Sequence, residues 1–452
     1  MIATAKMAKR IYRYGTMTKR IPSSSSSRVS VMKQCAQLRG GATIRAFSSA
    51  SALRKSRVYT TDLDIKLEES NIPCFRIIDE KGVVVKDGYE PTADVDFLLR
   101  MYNVMCELTV MDKIFYDAQR QGRISFHMQH TGEQAALIAS AAALDHDDPV
   151  YTQYREAGVY MWRGYDLQQM SHQCYGNLYD LGKGRQMPIH YGSKACNVHT
   201  VSSPLATQIP HASGAAYALK MEGKPNVAVA YFGDGAASEG DFHAALNFAA
   251  TLEAPALFFC RNNGYAISTP THEQYRGDGI VSRAPGYGMH GLRVDGNDFL
   301  AVYEAVSEAR KLALEKNMPV LIEAMTYRGG HHSTSDDSTA YRSNEEMKDW
   351  DLNDNPITRA RLYLEGLGVW DSDKEAEMQT RYRKNCIKCL TEAVKQKLPP
   401  ISQIFTDVYD DVPWHLEEQH ESLKQHLKAH PKDYPVDAYV KDEDYIDPRY
   451  EP

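Results

Sequence analysis

Acidic residues are missing from one end of this 452-residue chain. All 59 Asp and Glu lie beyond position 61, whereas residues 1–61 hold five Lys and eight Arg. The net charge of −7 thus divides into +13 for that segment and −20 for the remainder, where 39 basic residues face 59 acidic ones. A net-acidic body excludes a nucleic-acid binder built on clustered Lys and Arg. Long apolar runs are lacking too. The best, Ala135–Leu144, is ten residues, Ala-rich and broken by Ser140; a membrane span needs roughly 18 to 20. It reads as a buried helix, and no membrane span is expected. Cysteine is sparse: eight residues scattered from Cys35 to Cys389 make no disulfide framework and suit a reducing compartment. Cys386-x-x-Cys389 lies in a Lys/Arg-rich helical stretch without the second pair that a zinc site needs, so a redox or metal role is the lesser reading.

What residues 1–50 do contain is Lys, Arg, Ser and Ala, including the run Ser23–Ser27. This is the composition of an organellar transit peptide; a secretory signal needs a continuous apolar stretch. Arg45-Ala46-Phe47-Ser48-Ser49 also resembles a mitochondrial processing site. Residues 1–50 are therefore expected to be an address for the mitochondrial matrix, with a disordered basic tail as the alternative. Residues 51–94 read as an extended arm with short β-like runs at Cys74–Ile78 and Val83–Val85. Residues 95–370 form the expected α/β domain. Residues 371–452 are expected to be a helical C-terminal region, amphipathic over Asp373–Lys397, followed by a polar tail.

Within the central region the periodicity changes repeatedly. Val95–Arg120 carries apolar residues at helical spacing, with a Met-rich stripe that reads as core. Asn226–Phe232 is a short apolar strand, broken by Gly233-Asp234-Gly235. Ser238 is placed to cap the helix that follows, with Asp241 at the matching box position. Pro255–Cys260 is the next strand and ends at Arg261-Asn262-Asn263-Gly264. A helix over Phe299–Lys316 and a strand over Val320–Tyr327 complete a second crossover. Repeated βαβ units predict a doubly wound, mostly parallel sheet with ligands at the carboxyl ends of its strands. All three strands run into polar or Gly-rich loops there.

Those loops have a common chemistry. Gly233 and Gly235 let a ligand approach the backbone, and helix-start amides favour an anion. Asp234 adds one hard carboxylate, and Asn263, 29 positions later, adds an amide oxygen. Magnesium takes one or two ligands of this kind and completes its shell with phosphate and water.

Gly233-Asp234-Gly235 with Asn262-Asn263 resembles the thiamine diphosphate motif. From about Tyr59 onward the chain resembles the alpha subunits of branched-chain 2-oxo acid dehydrogenases. The segments that carry this are Gln121–Ser125, Gln153–Gly158, Gly184–Pro188, Ser202–Gln208 and His331–Asp337. Pyruvate dehydrogenase alpha subunits share the thiamine motif but differ around the Tyr-Arg and Ser-Pro-Leu-Ala segments. The resemblance implies a thiamine diphosphate-binding fold and the oxidative decarboxylation of branched 2-oxo acids, with reductive acylation of a lipoyl carrier. It implies that Asp234, Asn263 and the Tyr265 carbonyl hold magnesium. Gln153, Tyr154, Arg155, Arg261 and His332 would surround the diphosphate, with Gly233 and Gly235 beside it. Ser203 and Leu205 would lie at the aminopyrimidine, and Ser202, Pro204, Thr207 and Gln208 would bind a structural potassium ion. His332 and Ser203 are the catalytic candidates. A beta subunit in an α2β2 heterotetramer would complete each active site, and a lipoyl-bearing dihydrolipoyl acyltransferase core would receive the acyl group.

Blander readings stand beside these. His331 and His332 near Asp336 and Asp337, or His127 and His130, could suggest a transition-metal site, and Arg155 and Arg261 could be surface ion-pair partners. Tyr327–Ser343 reads as a flexible polar loop. The resemblance makes Ser333 and Ser343 candidates for control by a kinase and a phosphatase, since a phosphate adds about two negative charges. A non-catalytic regulatory homologue is the reading from another class; intact Asp234 and Asn263 speak against it.

Overall fold

The computed structural model describes residues 71–447 together with Thr61 and Leu63. The expected leader at 1–50 and most of the expected arm up to residue 70 lie outside the described residues. Chain contacts separate Met1–Leu67 from Glu68–Pro452. Of the first unit only Thr61 and Leu63 are described, and both are exposed. The second unit carries the fold.

Among the described residues nine strands form in chain order: β1 (Cys74–Phe75), β2 (Val150–Tyr151), β3 (Val198–His199), β4 (Ala228–Gly233), β5 (Ala256–Asn262), β6 (Tyr265–Ala266), β7 (Thr269–Pro270), β8 (His290–Asp295) and β9 (Val320–Met325). Seven make one sheet in the order β1-β8-β9-β5-β4-β2-β3, and every pairing in it is parallel. β6 and β7 form a separate antiparallel pair. The protein is thus an α/β fold with a parallel, doubly covered sheet.

The central strands β4, β5 and β9 are largely apolar because both of their faces are buried. Successive side chains alternate between two cores. Val229, Tyr231, Leu257, Phe259 and Ile322 join the core built with the helices Val95–Arg120, Gln134–Ala142 and Phe299–Lys316. Ala228, Ala230, Phe232, Ala256, Phe258 and Cys260 join the opposite core, beneath the helices Gln208–Glu222 and Gly240–Thr251. The Met-rich stripe of the first helix is indeed core: Met101, Met105 and Met111 are fully buried. Cys386 and Cys389 lie buried on the helix Ser372–Ala393, which packs against Val95–Arg120, and both are free.

Caps fix the helix starts. Asp94 accepts from the Phe97 amide at 2.8 Å. Asp298 accepts from Leu300 and Ala301, and its second oxygen takes the Ile77 and Ile78 amides at 2.7 Å. That carboxylate therefore starts one helix and docks the end of the arm. One cap differs from the sequence expectation. Ser238 ends a short 3-10 turn over Ala236–Ser238, and the next helix begins at Gly240 with no side-chain cap. The Gly-Asp-Gly turn tightens into that extra half-turn before the helix can start. Among the described residues, no helix is long and apolar enough to cross a membrane.

Candidate functional site

The carboxyl ends of β2, β4, β5 and β9 lie side by side, with Tyr151 paired to Ala230, Gly233 to Arg261 and Asn262 to Met325. Each end releases a loop carrying residues singled out above. Arg261 binds Glu156 at 2.6 Å through Nε and Glu133 at 2.8 Å through Nη1, and all three side chains are at or below 1% exposure. Asn263 Nδ2 donates to the same Glu133 oxygen at 2.9 Å. Glu156 also accepts from the Gln153 amide at 2.7 Å, and Gln153 Oε1 accepts from the Gly233 amide at 3.0 Å. This ring of bonds locks three loops together.

Its charges are strongly perturbed. Burial opposes the Arg261 charge, but Glu156 and Glu133 outweigh it and hold its pKa above the ordinary value. Burial likewise raises Glu133, yet Arg261, then Arg155, hold it below the usual carboxylate range. Two atoms of the ring, Arg261 Nη2 and Glu133 Oε2, are buried without a protein partner. Such atoms are costly unless something hydrogen-bonds them.

Asp234 is 2% exposed, and Gln274 donates to its Oδ2 at 2.8 Å. Burial pushes its carboxyl up. Asn263 Oδ1 accepts from the Tyr265 amide at 3.2 Å, so β6 follows directly on the Asn263 turn. At Gly235 a Cβ would stand 2.8 Å from the Ala266 Cβ; the glycine permits this approach. Asp234, Asn263 and the Tyr265 backbone therefore belong to one junction. Among the described residues no group of three or more His, Cys, Asp and Glu could hold a metal ion. One carboxylate with amide and backbone oxygens suits a hard cation that keeps water and phosphate ligands.

Arg155 is 3% exposed, not a surface residue. It donates to the Gln129 carbonyl at 3.0 Å, to His332 Nδ1 at 2.9 Å, and to the His332 carbonyl. Since guanidinium can only donate, His332 Nδ1 is an acceptor and the neutral ring carries its proton on Nε2. Burial, then Arg155 and Arg328, lower the His332 pKa to about 3. The Tyr154 ring meets His332 edge-on, with centroids 6.4 Å apart.

The loop from Tyr327 to Ser343 is a bonded network. Asp336 accepts from the His332 amide at 2.7 Å and from Tyr341 at 2.6 Å. Arg342 donates to the Gly330 carbonyl, and Gly329 donates to Thr131. His331 Nδ1 bonds Ser338 at 2.9 Å, so the adjacent histidines serve different partners. Ser333 is buried, with its Oγ accepting from Ser335. Ser343 is exposed and caps the helix Asn344–Asn353 through the Glu346 amide. Glu346 in turn accepts from the hydroxyls of Tyr265 and Tyr327.

The fourth loop is Ser202–Gln208. Ser203 Oγ lies 2.6 Å from His190 Nε2. Thr207 donates to the Pro204 carbonyl at 3.2 Å, Leu205 is half-buried against the second core, and Gln208 Nε2 donates to the Tyr231 carbonyl at 2.9 Å. Gln208 thereby ties this loop to β4, the strand that leads to Asp234. Ser202 is half-buried and Pro204 exposed.

Residues 102–402 match the family model described as "Dehydrogenase E1 component". The chain belongs to this family. It is 51% identical over 398 residues to "2-oxoisovalerate dehydrogenase subunit alpha, mitochondrial" of Dictyostelium discoideum, covering 88% of this chain and 90% of that one. The protein of the same name from Homo sapiens is 53% identical over 372 residues, covering 82% and 84%. The Caenorhabditis elegans protein of that name is 50% identical over 418 residues, covering 91% and 97%.

In this dehydrogenase E1 component, sequence reading passed over Glu133 and Glu156 as partners of Arg261, Gln274 as the partner of Asp234, and His190 as the partner of Ser203. Glu156 sits inside the segment Gln153–Gly158 and His190 just beyond Gly184–Pro188, whereas Glu133 and Gln274 lie outside every quoted segment; a single polar side chain carries no periodic signal. His127 and His130 prove to share Asp112, at 3.2 and 2.9 Å, with all three buried. They form a buried polar cluster in which His127 Nδ1 and His130 Nε2 have no protein partner.

Proposed function

We propose that this chain is the alpha subunit of a branched-chain 2-oxo acid dehydrogenase, a thiamine diphosphate-dependent enzyme that oxidatively decarboxylates branched 2-oxo acids and acylates a lipoyl carrier. The observation that carries this reading is the meeting of Gln153, Arg155, Asp234, Arg261, Asn263 and His332 at four parallel strand ends, with the Arg261 Nη2 donor left unpartnered. A buried cation with a free donor suits a diphosphate. The names of the relatives favour branched-chain over pyruvate substrates.

Asp234, Asn263 and the Tyr265 carbonyl hold Mg2+ on this reading. Gln153, Tyr154, Arg155, Arg261 and His332 surround the diphosphate, while Gly233 and Gly235 admit it to the backbone. Ser203 and Leu205 adjoin the aminopyrimidine, and Ser202, Pro204, Thr207 and Gln208 hold K+. Bound thiamine diphosphate supplies the stabilisation of negative charge that decarboxylation requires. The protein's own contribution is positional and electrostatic. Glu133 and Glu156 keep Arg261 charged and fixed. Arg155 holds His332 neutral and directs its Nε2 proton outward as a donor, ready for a developing negative charge beside it.

The chain works with a beta subunit in an α2β2 heterotetramer and delivers acyl groups to a lipoyl-bearing acyltransferase core in the mitochondrial matrix, after loss of residues 1–50. Residues 51–94 serve as an arm, 95–370 as the cofactor-binding domain and 371–452 as a helical region. Ser333 and Ser343 are the kinase and phosphatase sites. The test is co-expression with a candidate beta subunit and assay of 3-methyl-2-oxobutanoate and pyruvate, with and without thiamine diphosphate and Mg2+. The expected result is cofactor-dependent preference for the branched acid, abolished by Asp234→Ala. Activity that ignores the cofactor overturns the reading; preference for pyruvate overturns the substrate alone.

A further inference from the structure

His190 is 5% exposed and sits between two fixed partners. Its Nδ1 lies 3.1 Å from the Pro188 carbonyl and its Nε2 lies 2.6 Å from Ser203 Oγ. A carbonyl can only accept, so the neutral ring carries its proton on Nδ1 and offers a lone pair at Nε2. The Ser203 hydroxyl must then donate to His190. With its one proton committed, the exposed Ser203 oxygen has only lone pairs for a ligand.

The backbone around this pair is held in an unfavourable form. Ile189, beside His190, has φ +67°, and Ala206, three residues after Ser203, has φ +66°. A β-branched residue in the left-handed region is a true outlier and persists only where its surroundings impose it. Gln173 imposes it at Ile189: its Oε1 accepts from the Ile189 amide at 2.8 Å, and its Nε2 donates to the Met187 carbonyl at 2.6 Å. The helix Leu167–Tyr175 thus presents the imidazole through a single amide side chain.

We propose that His190 is a positioning residue that turns the Ser203 hydroxyl into an obligate acceptor for an N–H donor on the pyrimidine end of the cofactor. This rests on the thiamine diphosphate reading of the site. His190 itself touches no ligand; it acts by consuming the serine proton and fixing the direction of the oxygen's lone pairs. Without it the hydroxyl rotates and presents either polarity.

The test uses the assembled enzyme with its beta subunit. It reads thiamine diphosphate affinity in Mg2+ by quenching of protein fluorescence, separately from turnover. His190→Ala and Ser203→Ala are each expected to weaken binding on the order of three- to tenfold, and the double variant no further than the weaker single one. His190→Gln, whose Oε1 can accept from the same hydroxyl, is expected to stay within about threefold of wild type. Unchanged affinity in His190→Ala, losses that multiply in the double variant, or a Gln variant as weak as the Ala variant overturns the proposal. If His190→Ala does not assemble, Ser203→Ala and His190→Gln decide: a weakened first and a retained second support it, and any other pattern overturns it. Wild type that binds no thiamine diphosphate overturns the functional reading as well. Wild type that binds, with variants unaffected, overturns this inference alone.

Discussion

Arg261 Nη1 and Glu133 Oε1 form a 2.8 Å ion pair at 1% and 0% side-chain exposure. The pair joins the end of β5 to the residue preceding the helix Gln134–Ala142. Removing Glu133 leaves Arg261 paired with Glu156 alone and strips the buried Arg261 Nη1 and Asn263 Nδ2 donors of their shared acceptor. Glu133→Ala is therefore expected to lower the stability of the assembled enzyme by about 1–3 kcal/mol. Glu133→Gln, which keeps a hydrogen-bonding oxygen, should lose less. Chemical denaturation curves compare them, and equal midpoints for wild type and Glu133→Ala would contradict this account.

His332 gives a pH dependence of definite sign. Its folded pKa is lowered to about 3, against about 6.5 in an unfolded chain. Between these values the unfolded chain binds a proton that the folded protein refuses, so stability falls as pH drops below about 6.5 and is constant above it. At pH 5.5 the contribution lost is on the order of 1 kcal/mol. His332→Asn should flatten the decline in melting temperature between pH 7.5 and 5.5. A variant that tracks wild type through that range would locate the acid sensitivity elsewhere.

These two residues also mark how far the sequence could be read. The strands ending in Gly233 and Asn262, and the helices Val95–Arg120 and Phe299–Lys316, were legible because burial on two faces or one leaves a periodic apolar trace. Asp234 and Asn263 were legible because two polar turns recur at strand ends. β2 was not, since a two-residue strand has no period; only the resemblance pointed to Gln153–Arg155 beyond it. Glu133 and Glu156 were silent for another reason. Their role comes from partners 128 and 105 positions away in Arg261, a relationship that folding alone creates. The polar run Tyr327–Ser343 looked flexible because its composition is that of loops, whereas its order comes from Asp336, Arg342 and Arg328 binding across it.

Ser343 is expected to set the local stability of the helix it caps. The helix it caps has no buried residue and is held by Glu346 and by the stacking of Trp350 on Tyr327 at 4.8 Å. Ser343→Ala should cost about 1 kcal/mol in that helix. Hydrogen exchange over residues 344–353 should quicken by roughly fivefold, from the same free energy, while the global melting temperature stays put. A global loss would mean that the helix is part of the cooperative core.

Gly235 tests the proposed metal junction sterically. Its backbone is ordinary, so Gly235→Ala brings no conformational strain and acts only through the Cβ placed 2.8 Å from Ala266. Relief must move the β6 segment that bears the Tyr265 carbonyl, at a cost of about 1–3 kcal/mol. The expected outcome is weaker apparent Mg2+ affinity, by tenfold or more on the order of that free energy. Titration of Mg2+ at saturating thiamine diphosphate measures it. Unaltered affinity would remove Tyr265 from the ligand set.

The seven-stranded sheet has a consequence for solubility. Both of its borders, β1 and β3, are only two residues long. A long bare border offers a row of unpaired backbone groups on which a second chain can polymerise. Here the ladder stops almost as soon as it reaches either margin. Margins this short carry little bare border of their own on which another chain can pair, so lengthening either one is expected to raise the tendency to aggregate.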